Sequence, residues 1–61
     1  MLKIEIQTDG AAYSDDDVLT FYGRHELRKN LMEIAKKIDI GCNEGTIIDI
    51  CGNKVGKWKL D

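Results

Sequence analysis

Sixty-one residues with a net charge of −2 allow one small domain, spanning 1–61, and little more. A chain of this size buries only about 60% of its unfolded surface. If about 60% of that is apolar, burial at ~25 cal/mol/Å² supplies about 90 kcal/mol. Ordering the chain at ~1.5 kcal/mol per residue costs about the same, so self-association is an early expectation. Hydrophobic content of 43% and charged content of 33% describe a globular chain and exclude a disordered one. There is no apolar run of membrane-spanning length. Met1 leads directly into strand-like alternation, so a secreted product is not expected. The acidic balance, with pI near 5.2, opposes nonspecific nucleic-acid binding.

Leu2, Ile4 and Ile6 alternate with Lys3, Glu5 and Gln7, which predicts a half-buried strand ended by Asp9-Gly10. In the next stretch Ser14 and Asp17 have the spacing of a capping box, which predicts a short helical turn through Val18-Leu19. Gly23 is expected to interrupt any helix running through it. Residues 22–39 carry a helical stripe of Leu27, Leu31, Ile34, Ala35 and Ile38. Lys36 and Lys37 suit its last turns and Gly41 its end.

Asn43-Glu44-Gly45 reads as a turn and Thr46 to Cys51 as a strand. Gly52-Asn53 reads as a two-residue hairpin loop, and Lys54 to Leu60 as the returning strand. Unbroken pairing would scatter the apolar residues over both faces. A bulge at Gly56-Lys57 opposite Asp49 gathers Ile48, Ile50, Val55, Trp58 and Leu60 on one face. The expected fold is therefore α+β, with order β-α-β-β: one helix packed on a three-stranded, mostly antiparallel sheet, whose first two strands are parallel and in which a place for the last strand between them is one allowed order. The helix stripe should pack on Ile4, Ile6, Ile48, Ile50 and Trp58. Lys3, Glu5, Gln7, Ile47, Asp49, Lys57 and Lys59 should fill the outer face.

Ile4 to Tyr13, Leu31 to Ile38 and Asp49 to Trp58 together resemble a family of short uncharacterised bacteriophage and prophage proteins. Its first stretch usually ends Asn-Ala-Ala-Phe, and its last usually reads Asp-Asn/Ile-Asn-Gly-Asn-x-Val-Gly. Gly10, Tyr13 and Cys51 depart from that pattern. The resemblance covers most of the chain but only turn and core motifs. It implies a phage or mobile-element origin in the cytoplasm of a bacterial host, and no assigned chemistry.

No catalytic residue is expected. Asp15-Asp16-Asp17 lacks the alternation and distal Glu of a calcium loop. Cys42, Cys51 and His25 make no four-ligand zinc set, and the two cysteines read as ordinary thiols, so neither metal nor cofactor is expected. Neighbouring His25 and Glu26 face different directions on a helix. The favoured function is non-catalytic binding to a host or phage protein, with inhibition of a defence or regulatory factor as one form of it. A homodimer is expected, held through an edge strand or residues 11–23. The candidate contact residues are Tyr13, Leu19, Phe21, Tyr22, Arg24 and Arg28. The alternatives are an oligomeric binder of a nucleotide-like small ligand and a weak nucleic-acid-binding module.

Overall fold

A computed structural model describes residues 1–10, 12–15 and 18–61. The chain runs β1 (Leu2–Ile6), β2 (Ser14–Asp15), β3 (Val18–Leu19), α1 (Phe21–Asp39), β4 (Glu44–Ile48) and β5 (Lys54–Leu60). The main sheet has the order β1-β5-β4. Both outer strands are antiparallel to β5 and hence parallel to each other. This is the expected α+β fold, one helix on a three-stranded sheet, with a small β2-β3 hairpin added.

Ser14 pairs with Leu19 and Asp15 with Val18 as antiparallel strands, where a helical turn through Val18-Leu19 was expected. The Ser14 hydroxyl donates to the Thr8 carbonyl and caps no helix. Asp17 lies outside the described residues. The helix is capped by Thr20, whose Oγ1 accepts from the Gly23 amide at 2.8 Å. Gly23 therefore sits inside the first turn and does not interrupt α1. It is glycine because the Tyr13 backbone lies against it. At the other end Gly41 adopts φ +100°. The Gly41 amide bonds the Ile38 carbonyl at 3.1 Å and the Cys42 amide the Lys37 carbonyl at 2.9 Å, a Schellman termination.

The buried residues of α1 are Gly23, Asn30 and Ile34, flanked by half-buried Leu27 and Ile38. Leu31 is 43% exposed, and Ala35 is also outside. The buried face is thus rotated from the expected stripe, because Asn30 turns inward to meet Tyr13.

The β4-β5 connection also differs. Ile48 pairs with Lys54, so the loop is the five residues 49–53 and not Gly52-Asn53 alone. Asp49 organises it. Its Oδ1 accepts from the Cys51 and Asn53 amides at 2.9 and 2.8 Å, and Gly52 takes φ +86°. A register shift does occur, but between Ile47 and Ile48, leaving Val55 as the extra residue of β5. Ile47 then faces Gly56, and Trp58 faces Gly45, not Ile48. Ile47 is in the core, while Ile48 and Ile50 are 48% and 72% exposed. Glu44 and Gly45, expected in a turn, begin β4.

The main core is Ile34, Ile47 and Trp58, packed against by Ile6, Ile38, Cys42, Val55 and Leu60. Among the described residues no helix is long and apolar enough to cross a membrane.

Candidate interaction surface

The six sequence-derived contact residues separate in space. Tyr13 is fully buried. Its hydroxyl accepts from Asn30 Nδ2 at 2.6 Å, so it holds α1 to the β2-β3 segment and is not surface. Leu19 is half-buried. Phe21 and Tyr22 are each 84% exposed, edge to face with ring centroids 6.4 Å apart. Arg24 and Arg28 are exposed on α1 beyond them.

Burial pushes the Tyr13 hydroxyl above its ordinary pKa of 10.0, aided by the negative charges of Glu26 and Asp49 and opposed by the Asn30 hydrogen bond. A phenol with a raised folded pKa binds its proton more tightly in the native state. Its contribution is complete below the unfolded value and is lost as pH climbs through the folded one. The urea midpoint should therefore fall as pH rises beyond about 10, the ordinary tyrosine value. Tyr13→Phe should remove this alkaline component, while lowering stability at neutral pH by about 1–3 kcal/mol through the orphaned Asn30 amide.

Three surfaces remain; the outer sheet face, with Lys3, Glu5, Lys57 and Lys59, was expected from the sequence, and the other two depend on where α1 lies. The first is an open apolar flank. Asn30, Glu33 and Lys37 lie on the side of α1 that faces β4. Helical spacing puts Leu27, Leu31 and Ala35 on the other flank, toward β1. There the inward-facing Leu2 and Ile4 are 44% and 36% exposed, and Leu31 is 43% exposed. Alternation in β1 did mark Leu2 and Ile4 as apolar; that the helix leaves them half covered depends on its placement over β4.

The second surface is the outer sheet face, a concavity of about 500 Å³ bordered by Lys3, Lys54, Lys57, Lys59, Glu5 and Glu44. Lys3 stands directly opposite Lys59, and Glu5 opposite Lys57. Four lysines and two glutamates leave a local charge of only +2. The arginines lie on α1, away from it.

The third is a groove of about 190 Å³ between α1 and β4, lined by Asn30, Glu33, Ile34, Lys37, Ile47 and Trp58 among others. Among the described residues no group of three or more His, Cys, Asp or Glu side chains is placed to hold a metal ion. Cys42 is half-buried and Cys51 exposed, both as free thiols. Comparison with protein-family models, curated proteins and solved structures finds no match to this chain.

Proposed function

We propose that the chain is a small non-catalytic protein-binding module that works as a homodimer assembled through β1. The resemblance of its turn and core motifs to short phage proteins supports a module that acts on a host or phage protein in the cytoplasm of a bacterial host. The observation that carries the dimer is the uncovered flank of Leu2, Ile4 and Leu31. The accessible surface is 4703 Å², about 700 Å² more than a compact monomer of this mass would show. One side of a standard protein interface buries about 800 Å².

The register of β1 suits a second copy. The Gln7 amide donates to the Val55 carbonyl, which sets the phase of the ladder. Leu2, Ile4 and Ile6 consequently turn their backbone N–H and C=O groups away from β5. An antiparallel pair of β1 strands centred on Ile4 joins those outward groups, Ile4 to Ile4 and Leu2 to Ile6. The same register sets Lys3 of each copy opposite Glu5 of the other, a favourable cross-strand pair. Leu2, Ile4 and Leu31 of both copies then meet on one side of a continuous six-stranded sheet.

Sedimentation equilibrium should show a mass approaching twice 6.9 kDa as concentration rises. Glu5→Lys should weaken the dimer about tenfold or more, by opposing two like-charged pairs. The exchange Lys3→Glu with Glu5→Lys should restore it. A mass of 6.9 kDa at every concentration would end this reading. Undiminished association of Glu5→Lys would rule out this register.

A further inference from the structure

We infer that the open edge of β4, with the groove above it, binds an extended peptide segment and takes one of its side-chain amides, from Asn or Gln, beneath α1. The inference rests on the chain being a binding module but not on the dimer, because β4 is the edge opposite β1.

The Leu60 amide donates to the Asn43 carbonyl at 2.7 Å. Alternation from that bond turns the backbone groups of Glu44 and Thr46 outward, away from β5. An edge of this kind is commonly blunted by Pro, by charged side chains, lysine above all, or by a bulge in the edge strand. β4, Glu-Gly-Thr-Ile-Ile, has no Pro, its one charge is Glu44 at the start, and the bulge lies in β5, so the edge from Gly45 onward is unprotected. Addition of a strand from another chain is a recurring recognition mode for such an edge.

The groove supplies the specificity. Trp58 reaches from the middle strand across Gly45, where a side chain would be blocked: an ideal Cβ on Gly45 would lie 2.5 Å from the indole nitrogen. The indole N–H thus sits over β4. Trp58 is only 2% exposed, and among the described residues this N–H has no hydrogen-bond partner. A buried donor left unpaired is costly and rare. Asn30, 7% exposed, lines the same groove, and Glu33 and Lys37 stand at its rim.

A strand added to β4 places alternate side chains on the inner face of the sheet. A residue opposite Gly45 or Ile47 therefore projects toward Trp58 and the groove. An amide suits the surroundings. Its oxygen accepts from the indole or from Lys37, and its NH₂ donates to Glu33. A carboxylate would face Glu33 and an ammonium would face Lys37, each at the cost of a like charge.

The test uses the full chain, labelled with ¹⁵N, and the blocked pentapeptide Ac-Thr-Val-Gln-Val-Thr-NH₂. Binding should move the Trp58 indole N–H resonance and the amides of Glu44 and Thr46. The same peptide with Leu for Gln should bind about tenfold more weakly, the loss expected for one buried hydrogen bond. Thr46→Pro removes an outward N–H without touching the β4-β5 ladder, so the protein should stay folded and lose peptide binding; Thr46→Val should keep it. No shift of the indole resonance at millimolar peptide, equal affinity for the Leu peptide, or full binding to a folded Thr46→Pro variant would each overturn the inference. Shifts confined to Leu2 and Ile4 would overturn it in favour of the β1 edge. Sedimentation of the same samples reads the β1 dimer separately, so failure of one proposal does not mask the other.

Discussion

Gly23→Ala should strongly destabilise this fold, although alanine is the better helix former by about 1 kcal/mol. A methyl group at Gly23 would lie 2.5 Å from the Tyr13 carbonyl carbon and 2.6 Å from its Cα, with the carbonyl oxygen nearer still. That carbonyl cannot easily retreat. It accepts from the Thr20 amide at 2.8 Å and from Thr20 Oγ1 at 3.1 Å. Thr20 Oγ1 is also the cap of α1. Relief of the clash therefore disturbs the cap, worth about 1 kcal/mol, together with the overpacking itself, worth about 1–3 kcal/mol. It also pulls on Tyr13, which is fully buried beneath α1. A chain of this length has about 3–9 kcal/mol of stability in total. A loss near 3 kcal/mol should lower the melting temperature by about 20–25 °C. Thermal melts followed by circular dichroism measure this directly. Gly10→Ala is the control, since none of the described residues has an atom within 4 Å of the added carbon. A Gly23→Ala melt at or above the wild-type temperature would mean that Tyr13 is not packed against α1.

The same contact shows why part of the fold was legible and part was not. β1 and the body of α1 follow from local periodicity, because the alternation of Leu2, Ile4 and Ile6 and the helical spacing of Leu27, Ile34 and Ile38 each match one geometry only. Connection rules make β1 and β4 parallel but leave β5 free to lie between them or outside β4; the observed order β1-β5-β4 needed the structure. So did the helix rotation. Choosing Asn30 over Leu31 for the interior requires knowing that the Tyr13 hydroxyl waits there, 17 residues away in sequence. Ile47-Ile48-Asp49-Ile50 fits a strand in either phase. The phase is decided by the Asp49 carboxylate, which lengthens the loop to five residues by holding the Cys51 and Asn53 amides. One residue of slip exchanges the faces, so Ile47 enters the core in place of Ile48. The β4 groove lay out of reach for the same reason. Trp58 meets Gly45 only in the observed register.

Gly56→Ala should be as damaging as Gly23→Ala and should act through the sheet. Gly56 lies in the central strand next to the extra residue Val55, opposite both Ile6 and Ile47. A Cβ there would lie 2.9 Å from the carbonyl carbon of Glu5 and 3.0 Å from Cα of Ile6, with the Glu5 carbonyl oxygen closer. Both are backbone atoms of β1, so no side-chain rotation relieves the clash. β1 must move away from β5, or the bulge must shift. The first loosens the Gln7-to-Val55 hydrogen bond of 2.7 Å and the strand through which the dimer is proposed to form. The second reverses the faces of Trp58 and Leu60 relative to Ile47, exposing the indole. Either route should cost about 3 kcal/mol, near the top of the range for overpacking. Urea denaturation should show it as a lower midpoint. Trp58 fluorescence should separate the routes, shifting to longer wavelength in the native baseline only if the indole is exposed. Gly52→Ala is the comparison, because Gly52 has φ +86° but open space around it, and should cost only the about 1–2 kcal/mol of a left-handed backbone without contact strain. If Gly56→Ala proves milder than Gly52→Ala, the close approach of β1 to the bulge is misplaced, and with it the register that buries Ile47.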